Sequence, residues 1–320
     1  MAQASQAAAV AAPPKPNAAV TPSGSAAVHP RGIPPFQISP VKRGDRYLKF
    51  MIYGKHGNGK TTLAASSADV DEMADVLMID CESGDLTIQD NARVIHTDRI
   101  MSVKVTDWKT IGRIFEYLSA HCVHRDAKTP EAVEKLKDFQ SWLTGTPVEQ
   151  IDRVYRFRTV ILDSLSEAEQ YNMTGLMGYT EEELMGEKTE SDDVEVAGWG
   201  EFRKNKLMIE FLVRKFRSLP MNFICVCAES FVEDEIKRKT YMPALTGKLA
   251  RTIQGPFDVV GHLSMGEKDA SGNQQRLLRV KPDNRIDAKC RFSSFQLEGF
   301  QDPTMSKIMT AVGLLGARGS

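Results

Sequence analysis

Residues 48 to 62 read Leu-Lys-Phe-Met-Ile-Tyr-Gly-Lys-His-Gly-Asn-Gly-Lys-Thr-Thr. An apolar run breaks into Gly54, Gly57 and Gly59 and then reaches Lys60 and Thr61, which fits the pattern G-x-x-x-x-G-K-[ST] without a mismatch. The chemistry such a stretch can do is to wrap a phosphate. Successive backbone N–H groups must curl around the anion, and glycine enters the required positive-φ conformations at little steric cost. Lys60 supplies a point charge for the β- and γ-phosphates, and the Thr61 hydroxyl supplies a ligand for Mg²⁺. Lys55, His56, Asn58 and Thr62 fill out the loop. A helix starting near Thr61 adds its positive dipole end to the same anion.

Two later stretches deliver carboxylates in a matching way. Val76 to Glu82 is an apolar run that ends in Asp80 and Glu82. If it is a parallel strand, those acids reach the carboxyl edge of a sheet, where open α/β sheets bind ligands. Glu82 is then placed to polarise a water that attacks the γ-phosphate, and Asp80 is the weaker candidate. Arg158 to Ser164 is a β-branched apolar run ending in Asp163 and Ser164, the form of a strand whose aspartate reaches a Mg²⁺ shell. A further strand, Asn222 to Glu229, carries Cys225 and Cys227 on one face and puts Glu229 on the same edge. Lys237, Arg238, Lys239 and Tyr241 then set three cations beside an aromatic ring, a combination that suits single-stranded nucleic acid or, equally, a plain surface hairpin.

The remaining elements must position these groups. Trp108, Ile111, Ile114, Phe115, Leu118 and Cys122 recur at helical spacing after Asp107, so Trp108 belongs to the core. Pro130 opens a more polar helix to Leu143. Trp199 to Leu219 reads as a helix with Lys204, Met208, Phe211, Leu212, Lys215 and Leu219 on one side and Arg203, Lys206, Arg214 and Arg217 over the rest. Strand-like runs at 257–264, 276–280 and 292–297 close the sheet, with a turn bearing Lys281 and Arg285 between the last two. A short helix is expected after Asp302. The expected organisation is a disordered Ala/Pro-rich tail over 1–42, one α/β domain over 43–300, and a helix with a flexible end over 301–320. Eight of the fifteen prolines fall in the first 40 residues, where large apolar side chains are too few to order the chain. Thr180 to Glu195, with eight acids and one lysine, is expected to be a mobile acidic loop.

A formal net charge of −1 and a pI near 6.6 exclude a whole-molecule field that attracts polyanions, so any nucleic-acid contact must come from local patches. The five cysteines form no C-x-x-C pair, which points to the reducing cytoplasm and away from a disulfide or zinc framework. His121, Cys122 and His124 lack a second ligand pair, so they read as structural. No apolar stretch approaches a membrane span.

Taken together, GKHGNGKT, IDCE, VILDS and VCAE in that order resemble the RecA-like P-loop ATPase core over residues 46–298. Within that group the chain looks closest to the phage-type nucleotide-binding ATPases of the RecA-like single-strand annealing group. Asp107-Trp108, Tyr241 to Lys248 and the run from Phe257 to Val260 contribute to that likeness. The resemblance implies a mostly parallel central sheet with helices on both faces, ATP at Gly54 to Thr62, Mg²⁺ held through Thr61 and Asp163, and Glu82 as catalytic base. It places Lys281 and Arg285 where such ATPases keep cations that reach a neighbouring subunit's γ-phosphate. It departs from the family at Ala228-Glu229, where a polar γ-phosphate sensor is usual. The expected function is a DNA-stimulated ATPase of phage-type recombination or single-strand annealing, in the host cytoplasm if phage-encoded. Its partners would be single-stranded DNA, further copies of itself and a single-strand-binding protein. Two alternatives stay open: an annealing module that binds ATP with negligible turnover, and a small-molecule phosphotransferase.

Overall fold

In the computed structural model, residues 47–89, 91–178, 197–268, 274–292 and 299–315 are described, and element labels number the elements within them. The chain divides into 1–44, outside that set, and a unit over Asp45–Ser320. The expected N-terminal tail and the acidic loop at 180–195 therefore lie outside the described residues, as does the strand expected beyond Phe292.

Nine of the described strands form one sheet. In chain order they are β1 (Lys49–Tyr53), β2 (Val76–Asp80), β3 (Ile100–Lys104), β4 (Thr159–Asp163), β5 (Asn222–Cys227), β8 (Val259–Lys268), β9 (Gln274–Arg279), β10 (Lys289–Cys290) and β11 (Gly299–Gln301). The order across the sheet is β11-β9-β8-β1-β5-β4-β2-β3, with β10 alongside β8. The six strands from β8 to β3 run parallel, and the β9, β10 and β11 pairings are antiparallel. A separate hairpin joins β6 (Glu229–Glu233) to β7 (Lys239–Pro243).

β1, β2, β4 and β5 are buried at every position, as expected of strands covered on both faces. Alternate residues feed two cores. Met51, Tyr53, Leu77, Leu162, Phe223, Cys225 and Cys227 meet helices α3 (Trp108–His124), α5 (Leu165–Met177) and α6 (Trp199–Ser218). Phe50, Ile52, Met78, Ile161 and Val226 meet α1 (Lys60–Ala65) and α8 (Met305–Ala311). α2 (Leu86–Gln89), α4 (Pro130–Thr144) and α7 (Leu249–Thr252) complete the set. Asp107, Thr129, Ser164 and Thr304 cap α3, α4, α5 and α8 through their side chains.

α6 turns a different face inward from the one its sequence suggests. Asn205, Ile209, Leu212, Val213 and Phe216 are buried, while Phe211 and Lys215 from the expected stripe are exposed. The displacement has a physical cause in Asn205. Its amide donates to Glu169 Oε1 at 2.7 Å and accepts from Asn172 at 2.8 Å, so a polar residue occupies the buried stripe because α5 satisfies it.

Candidate nucleotide-binding site

The site is built where β1 ends. Gly57 and Gly59 adopt φ of 79° and 85°, the left-handed conformation that lets the loop wrap. Gly54 is required for a different reason, since a Cβ there would meet the Leu263 carbonyl oxygen at 2.2 Å. Asn58 fastens the loop to β8 by donating its side-chain amide to that same carbonyl at 2.9 Å. Lys60 is buried, and its Nζ donates to the carbonyls of Gly54 at 2.9 Å and Lys55 at 3.0 Å. Burial lowers its pKa, and the carboxylates of Asp163 and Glu82 act against that shift. Lys55, His56 and Gly57 are exposed, whereas Thr62 turns inward and its hydroxyl accepts from Asn91 at 3.1 Å.

Register brings the acids to this edge. Ile52 pairs with Val226, Val226 with Asp163, and Asp163 with Asp80. Asp163 thus lies one strand beyond β1's neighbour β5, level with the end of β1, and Thr61 Oγ1 donates to its Oδ2 at 2.6 Å. Its carboxyl is 1% exposed, and burial pushes its pKa up to about 6 against the opposing Thr61 hydrogen bond. Asp80 works as a brace: its carboxylate accepts the N–H groups of Glu82, Gly84 and Asp85 at 3.1, 2.8 and 3.3 Å. That turn brings Gly84 against Asp163 and Thr61 so closely that a Cβ would lie 3.1 Å from Asp163 Oδ2. Glu82 emerges exposed from the same turn, and the Ser164 hydroxyl donates to its Oε1.

Thr61 and Asp163 form a pair of hard oxygen donors in contact, which fits Mg²⁺. Among the described residues no group of three or more His, Cys, Asp or Glu could hold a metal ion. Mg²⁺ is commonly bound by one or two protein groups together with phosphates and waters, so this sparse donor set suits it.

Two residues of the site carry no signal in the sequence. Arg276 on β9 lays its guanidinium over the loop, where a Cβ on Gly59 would meet its Cζ at 2.3 Å. His262 on β8 accepts or donates through Nε2 to Glu229 at 2.8 Å, with both side chains at least nine-tenths buried. Their partners are distant in the chain, so no local spacing could have marked them. Glu229, expected on the same sheet edge as Glu82 and Asp163, is thereby paired with His262.

The structure does not gather the other expected cations at the loop. Lys281 and Arg285 are exposed in the turn after β9 and carry no ion pair among the described residues. Lys237, Arg238 and Lys239 lie at the hairpin tip, where Arg238 pairs with Asp234 at 2.9 Å and Lys239 lies 4.2 Å from the Phe231 ring centroid. Tyr241 is not a free stacking platform. Its ring stacks on His262 with centroids 6.1 Å apart and packs against the core, and the ring the hairpin exposes is Phe231.

The family model of the AAA domain matches residues 46–292, more than three quarters of the chain. The chain belongs to the AAA domain family. No curated protein matches the sequence. Among solved structures, the crystal structure of the flagellar accessory protein FlaH from Methanocaldococcus jannaschii is similar at 10% identity and a TM-score of 0.35, over 79% of this chain and 84% of that one. A likeness of that size says nothing about what this chain does. The AAA domain here is a P-loop ATPase domain built on a mostly parallel sheet with flanking helices. No described helix is long and apolar enough to cross a membrane.

Proposed function

We propose that the protein binds and hydrolyses ATP with Mg²⁺ and uses the cycle, as an oligomer, to act on single-stranded DNA in phage-type recombination or single-strand annealing. The observation that carries the hydrolytic part is the 2.6 Å contact between Thr61 and Asp163 beside Lys60, with Glu82 presented from the next turn. Lys60 exchanges two neutral carbonyl acceptors for charged phosphate oxygens, which make stronger hydrogen bonds. Thr61 and Asp163 would hold Mg²⁺, which would supply positive charge to the β- and γ-phosphates. Glu82 accepts the proton of the attacking water, and Ser164 orients its carboxylate. Arg276 gives the loop a cation from its own chain.

The DNA part of the reading is supported by the hairpin of β6 and β7. It begins at Glu229, which is paired to β8, the strand that also pins the phosphate loop through Asn58. Occupancy of the loop thus has a short path to the cations at the hairpin tip. Lys281 and Arg285 are assigned to a neighbour's site, where their exposure leaves them available. The test is ATP turnover measured with and without single-stranded DNA over a range of protein concentrations. The proposal expects turnover that is Mg²⁺-dependent, rises with DNA and rises more than proportionally with protein. DNA-independent turnover at a constant specific rate would leave an ATPase without the proposed substrate or assembly.

A further inference from the structure

β1 has a second charged end. Lys49 starts the strand and Gly54 follows it, so the two are roughly 16 Å apart at about 3.3 Å per residue. At the Lys49 end, the start of β1, the end of α6 and the chain leaving β10 converge on a cavity of ≈ 470 Å³ lined by Tyr47, Lys49, Arg214, Arg217, Asp258 and Arg291 among others. Four cations thus face one carboxylate.

That carboxylate is already engaged. Asp258 Oδ2 accepts the backbone N–H of Lys49 at 3.3 Å, and its Oδ1 lies 3.6 Å from Arg291. Lys49 is 7% exposed, and its ammonium donates to the carbonyls of Leu219 and Met221. An ammonium has three donors, so one is left, and no carboxylate lies within ion-pair distance of it among the described residues. Burial pushes its pKa down to about 8; Asp258 opposes that shift and Arg217 adds to it. Arg214 reaches only Glu210, at 3.9 Å, and Arg217 has no hydrogen bond or ion pair among the described residues. Cations near the end of a helix complement its dipole, which accounts for Arg217 alone. It does not account for the buried lysine, because buried charges are ordinarily paired; Arg291, exposed and arriving from another element, rests beside Asp258 and donates to the Gly255 carbonyl at 2.7 Å.

We propose that this cavity binds a phosphate group carried on a nucleotide, either a unit of a single strand or a free mononucleotide, at the pole opposite the phosphate loop. Its volume lies in the range of small-molecule sites. The guanidinium forks match phosphate oxygens in pairs. The Tyr47 ring, 6.0 Å from the Lys49 ammonium, offers a flat apolar wall. This site stands apart from the hydrolytic reading.

The experiment uses the full chain with Lys60→Ala, which removes the phosphate loop as a competitor. The probes are a dye-labelled oligothymidylate and AMP. Arg214 and Arg217 are exposed, so Arg214→Ala/Arg217→Ala is expected to keep the parent's melting temperature. Oligothymidylate affinity should fall about tenfold at low salt, with the log–log salt slope reduced by up to about 1.4 for two lost phosphate contacts. Loss confined to the oligothymidylate identifies a strand as the source of the phosphate, and loss of AMP binding identifies the free nucleotide. Either supports the site. If the folded double variant, and Arg217→Glu after it, binds both probes as the parent does, or the parent binds neither, the proposal is overturned. ATP turnover in the otherwise native chain should be unchanged by the double substitution.

Discussion

Lys60 already makes two hydrogen bonds to its own loop, so its ammonium is preorganised beside the glycines. Lys60→Ala removes a charged donor without cutting a large core contact. The expected outcome is a folded variant whose ATP affinity falls by more than a hundredfold, about 3 kcal/mol for a lost charge-assisted contact. Calorimetric titration beside a melting curve checks both halves, and tight binding by the folded variant would remove Lys60 from the site. The loop, Glu82 and Asp163 were legible because their chemistry fixes spacing and strand ends. Arg276 and His262 were not, because what makes them matter is a fold that brings β8 and β9 to the loop. Tyr241 shows the same limit in reverse. A ring beside three cations looks like a platform until its face is found against His262.

At the scale of elements, periodicity recovered the strands and helices that bury one consistent face, and failed where burial is partial. β3 is half-exposed at the sheet edge; Met101 to Val105 alternate apolar and polar residues, a short strand signal absent from the expected elements. α6 lies where its sequence places it but is rotated, because Asn205 is buried by pairing while Trp199, Leu207 and Phe211 are exposed. The hairpin tip carries Glu233, Asp234 and Glu235 beside its cations, and Arg238 is held by Asp234. Replacing Lys237, Arg238 and Lys239 with alanine should still flatten the salt dependence of single-stranded DNA binding, by up to about 0.7 in log–log slope per lost contact. An unchanged slope in a binding assay would make the hairpin a surface element only. α3 carries a different prediction. His121 is buried, its Nε2 meets the Tyr155 carbonyl at 3.3 Å, and its Nδ1 has no partner. Burial lowers its pKa to about 4 from 6.5, so the unfolded chain binds the extra proton between those values. Stability contributed by neutral His121 is therefore present above pH 6.5 and lost as pH falls toward 4, by up to about 3 kcal/mol at 1.36 kcal/mol per unit. Urea titrations of His121→Phe should show a flatter pH dependence over that window than the parent.

For the whole molecule, the distribution of cations bears on assembly. The loop has Lys60 and Arg276 from its own chain, whereas Lys281 and Arg285 extend from the turn after β9 without ion-pair partners among the described residues. If they act in a neighbour's site, Arg285→Ala subunits mixed with Glu82→Gln subunits should recover activity at junctions where an intact Glu82 meets an intact Arg285. Such a cation is worth about 10³- to 10⁵-fold in related phosphoryl transfers. No recovery at any ratio, with co-assembly confirmed by sizing, would leave both as surface residues. The central claim remains that the phosphate loop, Asp163 and Glu82 form a hydrolytic site, and Glu82→Gln separates binding from chemistry within it. An amide keeps the side chain's shape and its contact with Ser164 while losing the base. Measured together, ATP affinity and single-turnover hydrolysis of Glu82→Gln should show binding within about twofold of the parent and a rate lower by about 10²- to 10⁴-fold. A parental rate in that variant would contradict the account.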